Sequence, residues 1–282
     1  MHVLHVMASA ARGGGAEHLI GLLPELGRVG VTCSVVTGYD GPLAEQLRSE
    51  GIEVQQLDLM ARRLDPIALY RLRGLVQEIA PDIIHYHGTR AAFSGALVRF
   101  LGRGGLAPSV YTAHGLAYRQ NRGRWEELVF CAAEGIACRG AHEVLSVSQE
   151  DLRDLQKRWL VPGGSGVHVP NAVDCARFES APGRAEARRR LGLPDGTFVV
   201  GTVSRLVRQK GVDVLIDAVA QVPDARLVIV GDGELREVLE ARAAPLMDRV
   251  VFLGARGDVP ELLPAFDAFV LSSRWEGEPI SL

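Results

Sequence analysis

The sequence has no marked excess of charge of either sign: 31 Lys and Arg stand against 34 Asp and Glu, a formal net charge of -3 over 282 residues. No global field draws such a chain to nucleic acid or to a membrane surface, so any electrostatic argument must be local. Aromatic residues make up only 6%, and ample Val, Leu, Ala and Gly give the composition of a soluble globular α/β protein. The four cysteines, Cys33, Cys131, Cys138 and Cys175, form no C-x-x-C pair and no metal-type spacing. They read as reduced packing thiols of a cytoplasmic protein. No apolar run reaches the ~18–20 residues of a membrane span. The opening "MHVLHVMASAARGGG" is apolar and contains Ala-Ser-Ala, but it lacks a basic n-region and carries His5 within the run. A first β-strand fits it better than a signal peptide.

What is present is an alternation. Short Val/Ile/Leu-rich runs, "HVLHVM", "VTCSVVT", "IEVQQL", "DIIHYH", "PSVYTAH" and "HEVLSVS", are separated by helix-period stretches such as "GAEHLIGLLPELGRVG" and "PIALYRLRGLVQEIA". That order predicts a parallel sheet covered by helices. Pro162, Gly163, Gly164, Ser165 and Gly166 interrupt it, and strand-helix units restart with "TFVVGTVSRL", "ARLVIVGDG", "RVVFLG" and "DAFVLSS". The length exceeds what one core usually supports. The expectation is therefore two Rossmann-like, doubly wound parallel-sheet domains, the first over 1–166 and the second over 167–282, which has fewer units and ends at an unfinished one. Ligands of open α/β sheets bind at the carboxyl ends of the strands, which face a cleft in such an arrangement.

In the first half, Gly13, Gly14 and Gly15 lie between a strand and a helix, where backbone amides can approach an anionic group at a helix N-terminus. A tight turn explains them equally well. Their spacing is not that of a dinucleotide fingerprint, and "GRGGLA" from Gly102, which matches G-x-G-x-x-A, follows a helix. No Tyr is followed four residues later by Lys, the pair common to short-chain dehydrogenases, which weighs further against a nicotinamide enzyme. His85, His87 and His114 end two consecutive strands. His85 and His87 share a strand face, but the sequence offers no third clustered ligand and no H-E-x-x-H helix, so no metal is expected.

In the second half, Arg205 and Lys210 sit in "TVSRLVRQKGVDVLIDA", beside the N-terminus of a helix that Lys210 opens. Two cations there suit a diphosphate. Gly231 in "VGDGELRE" and the turn at Ala255 and Arg256 in "VVFLGARGDVPELL" extend a glycine-bearing rim, although each is also ordinary turn chemistry. The basic stretch "AYRQNRGRWEE" reads as a solvated loop leading into a helix, and "ARRRLG" as a helix end with cations at its negative pole.

The motifs "RLVRQKG", "VGDGELRE", "VVFLG" and "EGEP", in this order, resemble the second half of a family 4 glycosyltransferase of the GT-B fold. "GGGAEHLI", "PDIIHYHG", "TAHG", "VSQE" and "VPNAVD" resemble that family's first half. The resemblance spans essentially the whole chain. It implies a retaining, metal-independent transferase, without cofactor, that moves a sugar from a nucleoside-diphosphate sugar to a glycan or lipid-linked acceptor in cell-surface polysaccharide or glycolipid synthesis. The absence of D-x-D agrees, since that acidic pair holds the divalent ion of GT-A enzymes.

By the same resemblance, Arg205 and Lys210 neutralise the leaving diphosphate with help from the amides of Gly13–Gly15. Glu276, with Gly277, Glu278 and Pro279, orients the sugar, and His114 and His87 face it from the first half. Gly231, Ala255 and Arg256 border the nucleotide. Ala172 replaces a common glycine, and Glu278 a common aromatic, which leaves the sugar's identity open. In the family the acidic residue matching Glu276 is followed by a second glutamate, which here falls two residues beyond Leu282, so a truncated C-terminus is expected. A nucleotide-sugar-binding fragment or pseudoenzyme without turnover is the alternative. No nucleic-acid partner is expected. Arg119, Arg122, Arg124 and Trp125 suggest transient contact with the inner membrane surface.

Overall fold

The computed structural model describes residues 1–10, 13–61, 64–102, 105–119, 123–164, 166–194 and 196–281. Arg103 and Gly104 of "GRGGLA", Arg122 of the basic stretch and Ser165 of the expected boundary lie outside the described residues. The chain forms two compact units. The first holds Met1–Val173 together with Gly277–Ile280, and the second is built on Asp174–Glu276.

In the first unit, the described residues form one parallel sheet of β1 (His2–Met7), β2 (Thr32–Thr37), β3 (Glu53–Gln56), β4 (Ile83–His87), β5 (Ser109–Ala113), β6 (Glu143–Ser146) and β7 (Val167–His168). Their spatial order is β3-β2-β1-β4-β5-β6-β7. Helices cover both faces, which is why these strands are apolar runs. On one face Leu4, Val6, Ile84, Tyr86 and Tyr111 are buried. On the other, the helix Gly14–Arg28 lays Ala16, Leu19, Ile20 and Leu23 against Met7 and Val35. That spacing is one apolar stripe of a 3.6-residue period, and each fully buried Leu or Ile contributes about 1.5–3 kcal/mol.

Register then decides which side chains meet. His5 pairs with His85 and Met7 with His87 across β1 and β4, and His85 pairs with Val110 and His87 with Thr112 across β5. Because strand side chains alternate, His5, His85, His87 and Thr112 all project to the face covered by the helix Gly14–Arg28. The strand order reverses between β1 and β4, so the loops leaving these two strands flank the switch point at which open α/β sheets bind ligands.

The second unit repeats the plan with β8 (Phe198–Val203), β9 (Ala225–Val230), β10 (Val250–Gly254) and β11 (Ala268–Phe269), parallel and in the order β10-β9-β8-β11. Leu215, Ile216, Leu227 and Ile229 fill one face, and Val199, Val228, Val230 and Phe266 the other. Here the switch point falls between β8 and β11. Within the helix Arg184–Arg190, Arg188 is not a free cation at a helix end. It is buried and donates to Asp267 Oδ2 at 2.5 Å and to the Ala265 carbonyl at 3.2 Å.

Two sequence expectations shift. Val167 and His168, placed in the second domain above, pair with Leu145 and Ser146 of the first sheet, so the units part after Val173 and not after residue 166. The helix expected to open at Lys210 opens at Val212, with Gly211 as N-cap, and Lys210 ends a 3-10 turn, Arg208–Lys210. Among the described residues no helix is long and apolar enough to cross a membrane.

Candidate functional site

In the first unit a cluster of histidines occupies the switch point. His87 is the last residue of β4, and Gly88 turns the chain away with φ 80°. His114 follows β5, His18 comes from the second turn of the helix Gly14–Arg28, and His5 lies in β1. Nδ1 of His5 and Nε2 of His87 are hydrogen-bonded at 3.0 Å, and Nδ1 of His87 and Nε2 of His114 at 3.2 Å. His85 Nε2 is 2.7 Å from Thr112 Oγ1, and His18 Nδ1 is 3.1 Å from Asn171 Oδ1.

Burial, before any neighbouring charge, drives these imidazoles to the neutral form. The pKa values of His5, His85 and His114 are pushed down to about 3, with nearby histidines adding to the effect. That of His87 falls well below the usual range, first through burial and then through His85. His18 is lowered by burial, with the Asn171 hydrogen bond opposing. The group therefore presents lone pairs and N–H donors, not positive charge.

The glycine loop lies beside these rings. The helix begins at Gly14, and its N-cap Gly13 supplies no side-chain cap, so first-turn amides are left for water or a ligand. A Cβ on Gly15 would meet Met7 Cε at 3.2 Å and His114 Cδ2 at 3.8 Å.

Residues 277–280 belong to this unit as well. Gly277 approaches the His114 loop so closely that a Cβ on it would lie 3.0 Å from the His114 carbonyl oxygen. Asn171 N donates to Glu278 Oε2 at 2.6 Å, and Asn171 Nδ2 donates to the Glu278 carbonyl at 2.8 Å. The carboxylate of Glu278, assigned above to the sugar, is thus already engaged by the Asn171 backbone. Pro279 follows, partly exposed.

In the second unit the loops leaving β8 and β11 carry the charged residues. The β8 loop is stitched to the β9 loop: Ser204 N donates to the Val230 carbonyl, Leu206 N to that of Asp232, and Leu235 N to that of Leu206, at 2.9, 2.9 and 3.0 Å. Gly231 N in turn donates to the Gly254 carbonyl at 2.7 Å. Arg205 stands on this framework with its side chain exposed, and no hydrogen bond or ion pair engages it among the described residues.

Lys210 is held differently. Its Nζ donates to Glu276 Oε1 at 2.5 Å, and Ser273 Oγ donates to the same oxygen at 2.6 Å. Gln209 Nε2 donates to the Trp275 carbonyl at 3.0 Å, and Ser272 Oγ to the Gly211 carbonyl at 2.8 Å. Ala255 and Arg256 are exposed after β10, and Arg256 is paired with Asp258 through Nε and Nη2 at 2.8 and 2.5 Å. That pair engages two of the five N–H donors of the guanidinium.

Sequence reasoning missed His18, Asn171, Gln209 and Ser273. It also noticed His5 only as an interruption of an apolar run. The third clustered histidine that the sequence spacing did not offer is supplied twice, by His5 and by His18.

Two doubly wound parallel sheets, each with its polar residues at a switch point, define a nucleotide-type α/β architecture. The family model described as Glycosyltransferase Family 4 matches residues 12–177, and that described as Glycosyl transferases group 1 matches residues 183–282. The chain belongs to glycosyltransferase family 4 and has the GT-B fold.

It is 29% identical over 263 residues to the UDP-Gal:alpha-D-GlcNAc-diphosphoundecaprenol alpha-1,3-galactosyltransferase of Escherichia coli, covering 88% of this chain and 67% of that protein. It is 30% identical over 305 residues to the 2-deoxystreptamine N-acetyl-D-glucosaminyltransferase of Streptomyces fradiae, covering 94% and 70%. The crystal structure of Anabaena HepE in complex with UDP and glucose superposes with a TM-score of 0.79 at 26% identity, covering 98% of this chain and 76% of that one. The second family model matches as far as residue 282, and the chain covers 67–76% of the length of these relatives.

Proposed function

We propose that the chain moves a sugar from a nucleoside-diphosphate sugar to a glycan or lipid-linked acceptor, with retention of anomeric configuration and without a divalent ion at the leaving group. The observation that carries this reading is the state of the two cations at the second switch point. The side chain of Arg205 is exposed and unengaged among the described residues, on a loop hydrogen-bonded to the β9 loop, and Lys210 is fixed by Glu276. An ammonium has three N–H donors, so Lys210 can keep Glu276 and still donate to a phosphate oxygen.

Cleavage of the sugar-phosphate bond builds negative charge on the diphosphate, and groups already in place stabilise it without reorganising. Glu276 and the segment Gly277, Glu278 and Pro279 are assigned to the sugar hydroxyls. In the first unit His114 is assigned to a hydrogen bond with the sugar and the Gly13–Gly15 amides to an anionic group, whereas His87, buried with its ring nitrogens engaged by His5 and His114, is assigned to positioning His114 and not to direct sugar contact. Gly231 and Ala255 border the nucleotide. Arg256 does so while paired with Asp258 through Nε and Nη2.

The relatives support the donor class. One is named for UDP-galactose, another for GDP-mannose, and HepE is solved with UDP-glucose. Membrane contact at an anionic surface rests on Arg124 and on Trp125, which is 83% exposed at the start of the helix Arg124–Gly140. Arg119 leaves that set because Glu150 and Asp151 pair with it. Co-sedimentation with anionic liposomes tests this contact.

The test of the transferase reading needs no acceptor. UDP- and GDP-sugars are incubated with the chain in chelator, and nucleotide release is followed. Slow hydrolysis of at least one donor is expected. Thermal stabilisation without release identifies a binder without turnover, and neither response to any donor contradicts the reading.

A further inference from the structure

We propose that His18, His87 and His114 of the first unit form a binding site for a first-row transition-metal dication of the zinc type, with one coordination position left open. Each offers a ring nitrogen, and the three lie within 4.8 Å of one another. His87 Nδ1 and His114 Nε2 are 3.2 Å apart. Two nitrogens bound tetrahedrally at about 2.0–2.1 Å would be separated by about 3.3–3.4 Å, so this edge of the site is nearly formed.

The far side of two ligands is already arranged. Asn171 Nδ2 donates to the Glu278 carbonyl, which fixes the amide so that Oδ1 faces His18. Oδ1 can only accept, so His18 carries its proton on Nδ1 and keeps a lone pair on Nε2. For His87, Nε2 lies 3.0 Å from His5 Nδ1. With the proton on His87 Nε2, donated to His5, Nδ1 of His87 is left with its lone pair toward His114. Partners of this kind are what orient metal-binding imidazoles.

His5 gives this arrangement its independent support. It has zero exposure, and its Nε2 has no partner among the described residues. A buried polar nitrogen without a partner is destabilising, a cost that the Val or Leu typical of β1 would avoid. What His5 adds in exchange is the acceptor that orients His87.

A second grouping, His5, His85 and His87, also gathers three nitrogens. It is the poorer site. His5 and His87 are sealed from solvent, and His85 Nε2 is committed to Thr112. A dication would have to shed its whole hydration shell there, and the grouping contains no carboxylate to offset its charge. In the proposed trio His18 and His114 are partly exposed, which leaves a route in. Imidazole-only ligation selects Zn, Co, Ni or Cu over Mg, Ca or Mn, which prefer oxygen.

This site goes beyond the transferase reading and leaves the leaving-group chemistry with Arg205 and Lys210. One consequence does rest on that reading: a bound ion occupies His114 Nε2, so zinc should inhibit transfer and chelator should restore it.

The site itself is tested with Co²⁺ on tag-free, chelator-stripped chain, followed by visible absorption. One equivalent should give tetrahedral bands that Zn²⁺ displaces. His18→Gln and His114→Gln should abolish them, His85→Gln should leave them, and Asn171→Ala should weaken binding about 10–100-fold. Thermal melts establish that each variant is folded, and Asn171→Ala carries the test if a histidine variant is not. No bands in the parent chain, or bands lost in His85→Gln and kept in His18→Gln, overturn the proposal. Co²⁺ bands without any response to nucleotide sugars would contradict the transferase reading alone.

Discussion

Lys210 and Glu276 join the loops that leave β8 and β11, with Nζ 2.5 Å from Oε1 and side chains only 14% and 19% exposed. The pair fixes an ammonium at the switch point of the second sheet by means of Glu276, one of the two acidic residues assigned to the sugar from the sequence. Partial burial makes the contact more than a surface ion pair, and Ser273 shares the carboxylate. A double-mutant cycle with Lys210→Met and Glu276→Gln, measured by urea unfolding, should give a coupling of about 0.5–3 kcal/mol. Additive single effects would mean that the two residues do not support each other. In a transfer or hydrolysis assay Lys210→Met should lower kcat by about 10²–10³, the usual cost of removing one transition-state donor.

The loop that carries Arg205 depends on Gly231. This glycine has φ 137°, and a Cβ there would lie 1.9 Å from the Ser204 carbonyl oxygen and 2.9 Å from the Ser204 carbonyl carbon. Both obstacles are backbone, so no side chain can swing aside. Gly231→Ala should destabilise the second unit by about 1–3 kcal/mol through strain and weaken nucleotide binding by displacing the loop. Calorimetric unfolding together with nucleotide titration checks this, and a neutral Gly231→Ala would show that the stitched loops are not rigid.

Glu134 gives the first unit a pH dependence. It is fully buried, and Thr89 Oγ1 and Tyr111 OH donate to its two oxygens at 2.8 and 2.6 Å. Burial outweighs these donors and raises its pKa from 4.5 to about 7. The folded state then binds the proton more tightly than the unfolded state, so the favourable contribution is present at low pH and is lost as pH rises from about 4.5 through 7. Glu134→Gln, which cannot ionise, should be more stable than the parent at pH 8 by an amount on the order of 3 kcal/mol, with the difference closing near pH 4.5. Equal differences at both pH values would contradict the assignment.

Much of this architecture was legible because parallel strands buried on both faces must be short apolar runs, and β1, β2, β8 and β9 are such runs. The boundary was misplaced because Pro162 to Gly166 carry strong turn chemistry inside the first unit, while β7 is two residues long and leaves no periodicity to detect. Arg205 and Lys210 were visible as a local motif. The histidine cluster was not, since His5 and His87 are joined only through the parallel register of β1 with β4, and His18 reaches them from a helix. Sequence spacing along a chain does not encode that kind of meeting. The engagement of Glu278 by Asn171 escaped for the same reason, the two lying 107 positions apart.

The measurement that bears most directly on the central claim is the thermal shift produced by UDP- and GDP-sugars in the presence of EDTA, compared between the parent chain and Arg205→Ala. Arg205 is exposed and unengaged, so the substitution should change intrinsic stability by no more than about 0.5 kcal/mol. The account predicts stabilisation of the parent by at least one donor without any metal, and its loss in Arg205→Ala. A shift that requires a divalent ion, or that survives in Arg205→Ala, would contradict it.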